Sequence, residues 1–180
     1  MADHEKAAGI ELRPRPELGK LTLRATDEVA KLAADVLGRP WPAAINRAAG
    51  EVDDRTLRLG PDEFLMLVAR TTVAGLVDRL RPALADHHHA LVDVSARLTA
   101  LELSGPMVRQ ALAAACPLDL HDSSFAVDAA TRTMLGKAEI VLDRLAADRW
   151  RLAVNRSLAP YVEALLHEAG REFGVRTRSP

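Results

Sequence analysis

The sequence is poor in cysteine, in aromatic side chains and in net charge, and each shortage argues against a class of protein. Cys116 is the single cysteine among 180 residues, so no disulfide can form within the chain, which favours a reducing compartment. The formal net charge is −1, whereas a nucleic-acid-binding surface needs an excess of Lys and Arg to neutralise phosphates. We therefore expect neither a disulfide scaffold nor a nucleic-acid partner.

Long apolar runs and phosphate-binding loops are missing as well. No stretch approaches the ~20 apolar residues that cross a bilayer. Met1–Lys6 carries charged and polar residues where a signal peptide has an apolar core. The ten glycines include neither a G-x-G-x-x-G spacing nor a G-K-[ST] loop. These features predict a cytoplasmic protein without a membrane partner and without a dinucleotide-binding unit.

The composition predicts a globular chain with a hydrophobic core. Apolar residues make up 48% of the sequence and charged residues 27%. Residues 1–19 are expected to form an extended arm, because the prolines of Arg13-Pro14-Arg15-Pro16 disfavour helix. We expect one α+β domain over residues 20–174 and a frayed tail over residues 175–180.

Hydrophobic periodicity predicts a repeated order of elements. After a strand at Lys20–Arg24, a helix from Thr26 to Gly38 and a loop over Arg39–Gly50, two strands followed by a helix occur three times. This order is typical of an α+β fold, an antiparallel sheet with helices packed on it. The predicted strand pairs are Arg55–Leu59 with Glu63–Ala69, Ala90–Val94 with Leu98–Leu103, and Lys137–Leu145 with Arg149–Asn155, and the helices begin near Thr72, Pro106 and Ser157.

The residues with the most reactive side chains do not form a convincing site. His87, His88 and His89 suggest a metal site, but adjacent residues splay on a helix and alternate on a strand, so three cannot easily face one ion. Cys116 follows a predicted helix, whose negative end opposes a thiolate, and this position favours a small buried side chain. We predict no metal ligand and no catalytic thiol.

Two further groups have a structural and a functional interpretation. Asp119, His121 and Ser123 could act as a nucleophile set, although neighbouring residues in a loop favour turn chemistry. Ser104-Gly105-Pro106 could present N–H groups to an anion at a helix start, although simple capping by Ser104 or Gly105 is the stronger interpretation. We therefore predict no catalytic and no cofactor-binding residue.

Arginines recur on the predicted strands and beside them. We expect them on solvent-facing sides, where they form either a hydrated surface or a polar surface for a partner, since Arg is enriched at interfaces. These residues are Arg55, Arg58, Arg149, Arg151 and Arg156.

Five short motifs of this chain resemble, in their sequence and their order, the gamma subunit family of heterotetrameric sarcosine oxidase. The resemblance covers about Gly60 to Gly174, and the residues before position 50 match only loosely. One departure is Leu158, where the family pattern suggests an aromatic residue. The motifs are Val92-Asp93-Val94-Ser95, Leu103-Ser104-Gly105-Pro106, Ala114-Ala115-Cys116-Pro117-Leu118-Asp119-Leu120, Thr131-Arg132-Thr133-Met134-Leu135-Gly136-Lys137-Ala138-Glu139-Ile140, and Arg156-Ser157-Leu158 with Tyr161.

The resemblance implies a role in a larger complex. Such complexes oxidatively demethylate sarcosine to glycine, produce hydrogen peroxide and can pass the one-carbon unit to tetrahydrofolate as 5,10-methylenetetrahydrofolate. Their FAD, FMN, NAD, zinc and tetrahydrofolate are expected on the alpha, beta and delta subunits, with the alpha subunit as the direct partner of this chain. The gamma subunit is expected to share the fold of the folate-binding part of aminomethyltransferases such as the glycine-cleavage T-protein.

Two alternatives stay open at this point. The chain could be a folate-binding or one-carbon transfer protein that works alone, although its aromatic fraction of 3% offers few partners for stacking on a pterin. It could also be the gamma subunit of an oxidoreductase for another N-methyl amino acid, because a non-catalytic subunit does not reveal the substrate.

Overall fold

The computed structural model describes residues 9–179, and this part of the chain divides into two compact units. The five-stranded unit comprises Pro16–Leu98 and Asp128–Arg132. The six-stranded unit comprises residues 9–15, Thr99–Val127 and residues 133–179. None of the helices within residues 9–179 is long and apolar enough to cross a bilayer.

Along the described residues, single α-helices separate groups of one to three strands, and both sheets are mainly antiparallel. This arrangement confirms the predicted α+β class. The strands are β1 (Ile10–Pro14), β2 (Leu18–Ala25), β3 (Arg47–Glu51), β4 (Asp54–Arg58), β5 (Glu63–Ala69), β6 (His89–Asp93), β7 (Leu98–Ser104), β8 (Ala130–Leu135), β9 (Ala138–Ala146), β10 (Arg149–Asn155) and β11 (Val175–Thr177). The helices are α1 (Asp27–Leu37), α2 (Val73–Ala83), α3 (Val108–Ala113) and α4 (Ala159–Ala169), with 3₁₀ turns at Arg70–Thr72, Arg156–Leu158 and Arg171–Phe173.

The two units repeat one order of elements. The five-stranded sheet has the order β3-β4-β5-β2-β6, and the six-stranded sheet has the order β11-β1-β7-β10-β9-β8. When β1 is left out and the six-stranded sheet is read from its other end, its order is β8-β9-β10-β7-β11. These strands correspond one to one to β3-β4-β5-β2-β6 of the five-stranded sheet. The helices α1 and α2 correspond in the same way to α3 and α4. The periodicity therefore reflects two long repeats rather than three short ones.

The second predicted strand pair is not a hairpin. Strand β6 lies at an edge of the five-stranded sheet, whereas β7 pairs with β1 inside the six-stranded sheet. Between them the N–H groups of Arg97 and Leu98 both donate to the carbonyl of Val94 at 3.0 Å, which makes a helical turn instead of a tight hairpin turn. Apolar alternation on both sides of a short connection does not reveal that the chain changes sheet there.

The core of the five-stranded unit lies between its helices and one face of its sheet. Helix α1 buries Val29, Ala30, Ala33 and Leu37 on one stripe, and these side chains belong to a buried cluster with residues of β2 and β5. Gly38 ends the helix in the left-handed conformation, with φ +64°, and its N–H donates to the carbonyl of Ala34 at 2.8 Å. Each large apolar side chain buried here contributes about 1.5–3 kcal/mol. The strand members of the cluster are Leu21, Leu23, Ala25, Phe64, Met66 and Val68.

The expected arm and tail contain strands of the six-stranded sheet. Within residues 9–19, β1 pairs antiparallel with β7 and parallel with β11, so these segments are neither a free arm nor a frayed tail. Ile10 and Leu12 are 2% and 0% exposed and alternate with Glu11 and Arg13. This alternation is a strand signal that outweighs the two prolines. The rest of the predicted arm, residues 1–8, lies outside the described residues.

Several local boundaries differ from expectation. The predicted loop Arg39–Gly50 contains most of β3, and the strand β8 was not predicted. Helix α4 begins at Ala159, because a 3₁₀ turn occupies Arg156–Leu158, so Ser157 does not cap it. In contrast, β5 and β10 have the predicted bounds.

Candidate functional site

The three adjacent histidines lie at the start of the edge strand β6. His87 and His88 are exposed, and the Nδ1 atom of His89 lies 2.8 Å from the carbonyl oxygen of His87. Among the described residues, no three side chains of His, Cys, Asp or Glu are grouped so as to hold a metal ion. The structure thus gives His89 a local backbone contact and leaves the other two in solvent.

Cys116 is buried just after α3. Its N–H donates to the carbonyl of Leu112 at 2.9 Å, and its Sγ atom lies 3.9 Å from the Thr133 hydroxyl. These contacts place the thiol at the C-terminal side of α3, inside the fold. The geometry fits a packing role.

Asp119, His121 and Ser123 come together, but not in the arrangement of a catalytic relay. In such a relay the carboxylate accepts a hydrogen bond from the imidazole ring. Here Asp119 accepts the backbone N–H of His121 at 2.9 Å and the Ser124 hydroxyl at 2.6 Å, while the His121 ring contacts Ser123 at 2.9 Å. The Ser124 hydroxyl, with the His121 N–H, holds the pKa of Asp119 below its usual value. This is the hydrogen bonding of an aspartate turn.

Ser104-Gly105-Pro106 neither caps a helix nor presents a free anion site. Strand β7 ends at Ser104, and α3 starts only at Val108, with Met107 at its N-cap position and no side-chain cap. The Gly105 N–H donates to the carbonyl of Asp148 at 2.9 Å, and the Met107 N–H donates to that of Gly9. Gly105 has φ +129°, and a Cβ atom there would lie 2.3 Å from the Gly9 carbonyl oxygen, so the position requires glycine.

Two of the arginines predicted to face solvent are buried. Arg55 is 3% exposed and donates to Asp128 at 2.6 Å and to the Gly50 carbonyl at 3.2 Å. Arg151 is fully buried and donates to Asp143 of the neighbouring strand at 2.8 Å. Because these guanidinium groups are held within the chain, they cannot form a polar surface for a partner. The prediction was wrong for these two positions, while Arg156 is exposed.

Glu102 is the centre of a buried ion-pair cluster that the sequence analysis did not predict. Glu102, on β7, accepts the Nε–H of Arg149 at 2.6 Å with one carboxylate oxygen and pairs with Arg15 through the other. The side chains of Glu102 and Arg15 are 8% and 5% exposed, whereas that of Arg149 is 38% exposed. A charge in the middle of an apolar alternating strand, Leu101-Glu102-Leu103, is the sequence signal that could have revealed the cluster.

A groove in the five-stranded unit has the volume of a ligand site. Its volume is 630 Å³, within the usual 300–1,000 Å³ of small-molecule pockets. Its positive charges are already engaged: Arg39 pairs with Asp54, and Arg79 donates to the Val36 carbonyl. Burial lowers the pKa of Arg39, and the Asp54 carboxylate opposes that shift. Among its described lining residues the groove has neither a histidine nor a cysteine.

The sequence motifs quoted above coincide with positions that define the fold. Gly136 forms the turn between β8 and β9 with φ +58°, and a Cβ atom there would lie 2.4 Å from the Tyr161 hydroxyl oxygen. The same hydroxyl accepts the Lys137 N–H at 3.0 Å. The motif Thr131–Ile140 and Tyr161 of α4 therefore meet at one contact. In the motif Cys-Pro-Leu-Asp-Leu, Leu120 is buried.

Comparison with known proteins matches most of the chain to one family. The model of the sarcosine oxidase, gamma subunit family matches residues 24–172. The sarcosine oxidase subunit gamma of Corynebacterium sp. (strain U-96) is 34% identical over 160 residues, which are 88% of this chain and 77% of that protein.

Two solved structures are similar to this fold. One is the heterotetrameric sarcosine oxidase from Corynebacterium sp. U-96 in complex with pyrrole 2-carboxylate, a chain of which is 32% identical with a TM-score of 0.86, covering 93% of this chain and 86% of that chain. The other is the glycine cleavage system aminomethyltransferase T from Bartonella henselae, with a TM-score of 0.69 and 13% identity, covering 96% of this chain and 48% of that chain. The second likeness concerns the fold alone.

Proposed function

Because the chain belongs to the sarcosine oxidase gamma subunit family, we propose that it supports the assembly of a sarcosine-oxidising complex and performs no catalysis by itself. In this proposal the complex demethylates sarcosine oxidatively to glycine and produces hydrogen peroxide. With tetrahydrofolate it also produces 5,10-methylenetetrahydrofolate. The gamma chain contributes a folded surface, and the reacting groups lie on other subunits.

The proposal is supported mainly by the way the chain uses its polar side chains. Asp119 holds a backbone N–H and a serine hydroxyl, Glu102 holds two arginines, and Arg151 holds Asp143 across two strands. General acid–base chemistry needs a titratable group within reach of a substrate atom. These carboxylates instead stabilise a turn and strand pairs of their own chain.

The proposed partners are the alpha subunit, in direct contact, and the beta and delta subunits of the same complex. The relative from Corynebacterium sp. U-96 was solved as a heterotetrameric sarcosine oxidase, which supports a multi-subunit setting for this chain. FAD, FMN, NAD and zinc, with tetrahydrofolate as the one-carbon acceptor, are assigned by the proposal to the other subunits. The complex is proposed to work in the cytoplasm, in keeping with a single cysteine that cannot form an internal disulfide.

Reconstitution tests this proposal. The chain is expressed alone and together with the alpha, beta and delta subunits of its proposed complex, and hydrogen peroxide production from sarcosine is measured. We expect no turnover by the isolated chain, turnover by the four-subunit preparation, and a reduced yield of assembled complex when this chain is left out. Turnover of sarcosine by the chain alone would contradict the non-catalytic role.

Two further measurements separate the alternatives. Titration of the isolated chain with tetrahydrofolate in a calorimeter is expected to give no micromolar binding, and tight binding would favour a folate protein that acts alone. Comparison of sarcosine with other N-methyl amino acids as substrates of the assembled complex identifies its preferred substrate. A clear preference for another amine would leave the proposed subunit role intact and change the proposed substrate of the complex.

A further inference from the structure

Strand β6 forms a bare edge of the five-stranded sheet. It pairs with β2 on one side, and the described residues place no strand on its other side. None of its five residues is buried, and Val92 is 50% exposed. An unpaired strand edge is a template for pairing with another chain.

The hydrogen-bond alternation identifies the groups that this edge offers. One step beyond the β2–β6 register the Val94 N–H donates to the carbonyl of Lys20 at 2.8 Å, while the Lys20 N–H donates to the Ser95 hydroxyl at 2.8 Å. The Val94 N–H therefore marks a position at which the groups of β6 point toward β2. In an antiparallel ladder such positions alternate with positions whose groups point away from the partner strand. The backbone N–H and C=O groups of Leu91 and Asp93 therefore point away from β2, toward the open side.

The opposite edge of the same sheet is covered by the chain itself. On β3 the Ala48 N–H donates to the carbonyl of Asp128 at 2.9 Å, and the Ala130 N–H donates to the carbonyl of Asn46 at 3.1 Å. Residues 128–132 belong to the same unit and occupy this edge. The two edges of one sheet thus differ, since one is occupied and the other is free to pair.

The edges of the six-stranded sheet carry the usual protection against pairing. Strand β11 has three residues and includes Arg176, and β8 includes Arg132. Short length and cationic side chains both discourage edge pairing. Strand β6 has neither lysine, arginine nor proline, and its formal charge, Asp93, lies at its end with the carboxylate bonded to the Ser95 N–H at 2.8 Å.

The side chains of β6 indicate what kind of strand would fit. Ala90 and Val92 share one face of the strand and are exposed, so a neighbouring strand would place apolar side chains beside them. The hydrogen bond with Ser95 is the main cause that lowers the pKa of Asp93, so the carboxylate is ionised at neutral pH. A lysine or arginine opposite Asp93 would complement it.

The size of the edge argues against a second copy of the chain as occupant. Five strand residues extend about 17 Å, and a strip about 10 Å wide along them buries on the order of 200 Å² per chain. A stable interface needs about 800 Å² per partner. Most of the buried interface area must therefore come from contacts outside β6. A larger subunit supplies such contacts more readily than a second copy of this chain that pairs through its own β6.

We propose that β6 docks an extended strand of a larger partner subunit, which continues the five-stranded sheet through backbone hydrogen bonds to Leu91 and Asp93. The strand carries apolar residues beside Ala90 and Val92 and a cation opposite Asp93. This inference rests on the proposed function and specifies where the assembly surface lies.

Two variants of the chain, each co-expressed with the alpha, beta and delta subunits, test the docking edge. Val92→Lys places a cation on the exposed face of the edge, and Leu91→Pro removes an outward N–H donor without removing a bond to β2. We expect at least a tenfold loss of affinity for the purified remainder of the complex, measured by titration and size-exclusion chromatography. Ile45→Lys is the matched control, because Ile45 is 45% exposed and lies outside β6, and it should assemble as the wild type does.

The outcomes distinguish this inference from the proposed function. If the wild-type chain does not assemble with the other subunits, the proposed function fails. If the wild type and the Val92→Lys variant assemble equally, only the docking edge is wrong. A concentration-dependent homodimer of the isolated wild type that Val92→Lys abolishes would overturn the choice of occupant. Circular dichroism and thermal melting of each isolated variant check that it is folded, and Val92→Lys carries the test if Leu91→Pro is not.

Discussion

Replacing Glu102 by glutamine should destabilise the chain far more than replacing Arg149, although the two residues form one ion pair. Glu102→Gln keeps the size of the side chain but removes the negative charge that offsets Arg15. Arg149→Gln removes only the outer cation and leaves the Glu102–Arg15 pair in place. The two variants therefore separate the buried half of the cluster from its exposed half.

The burial of each side chain sets the expected magnitudes. Breaking a buried ion pair by removing one partner costs about 3–5 kcal/mol, because the remaining charge stays dehydrated. An ion pair in which one partner is substantially exposed contributes about 0–1 kcal/mol. Arg15 is 5% exposed and Arg149 38% exposed, so we expect about 3 kcal/mol for Glu102→Gln and under about 1 kcal/mol for Arg149→Gln.

Thermal unfolding of the isolated chain, followed by circular dichroism, measures the difference. For a chain of this length each kcal/mol lowers the melting temperature by about 2–4 °C. Glu102→Gln should therefore lower it by roughly 6–12 °C, and Arg149→Gln by less than about 4 °C. Equal shifts in the two variants, or a larger shift for Arg149→Gln, would refute the assignment of the stabilising charge pair to Arg15 and Glu102.

Three more expectations concern β1, the turn before β9 and the loop after α3. Leu12→Ala should lower the unfolding free energy by about 2–5 kcal/mol in a denaturant titration, and an effect below 1 kcal/mol would show that β1 is not part of the core. Gly136→Ala should lower the melting temperature measurably, because its left-handed φ and the nearby Tyr161 hydroxyl both oppose a Cβ atom, whereas the exposed Gly75→Ala should not. Hydrogen bonds lower the pKa of Asp119 in the folded chain, so their stabilisation is complete above the ordinary value of 3.8 and is lost as the pH falls through the folded pKa. Ser124→Ala should shift the carboxyl NMR titration of Asp119 upward, and an unchanged midpoint would contradict this cause.

Local sequence signals identified many of the strands but not the way in which they pair. The bounds of β5 and β10 follow directly from apolar runs and alternation. The separation of β6 from β7 depends on which distant strand each one meets, and periodicity carries no such information. Sequence motifs shared with the gamma subunit family were more informative about function than any single residue, and the comparisons confirm that resemblance.

The arginines show why candidate sites were misjudged. A charged residue on an alternating strand predicts a solvent-facing side, because isolated charges are costly to bury. Arg55 and Arg151 are buried nevertheless, since Asp128 reaches Arg55 from a distant segment and Asp143 pairs with Arg151 from the adjacent strand β9. The neutralising partner of Arg55 is 73 residues away in sequence, so only the three-dimensional arrangement reveals it.

The pairing of β1 with β11 has a consequence for protein synthesis. Ile10 lies opposite Val175, so two segments made at widely separated times must meet before the sheet is complete. While the ribosome is still translating the intervening residues, one side of β1 has no neighbour and its hydrogen-bonding groups remain accessible to solvent or to chaperones. Sheets closed by such distant contacts form slowly, and we expect the β1–β11 pair to form later than the β9–β10 pair, whose strands are neighbours in sequence.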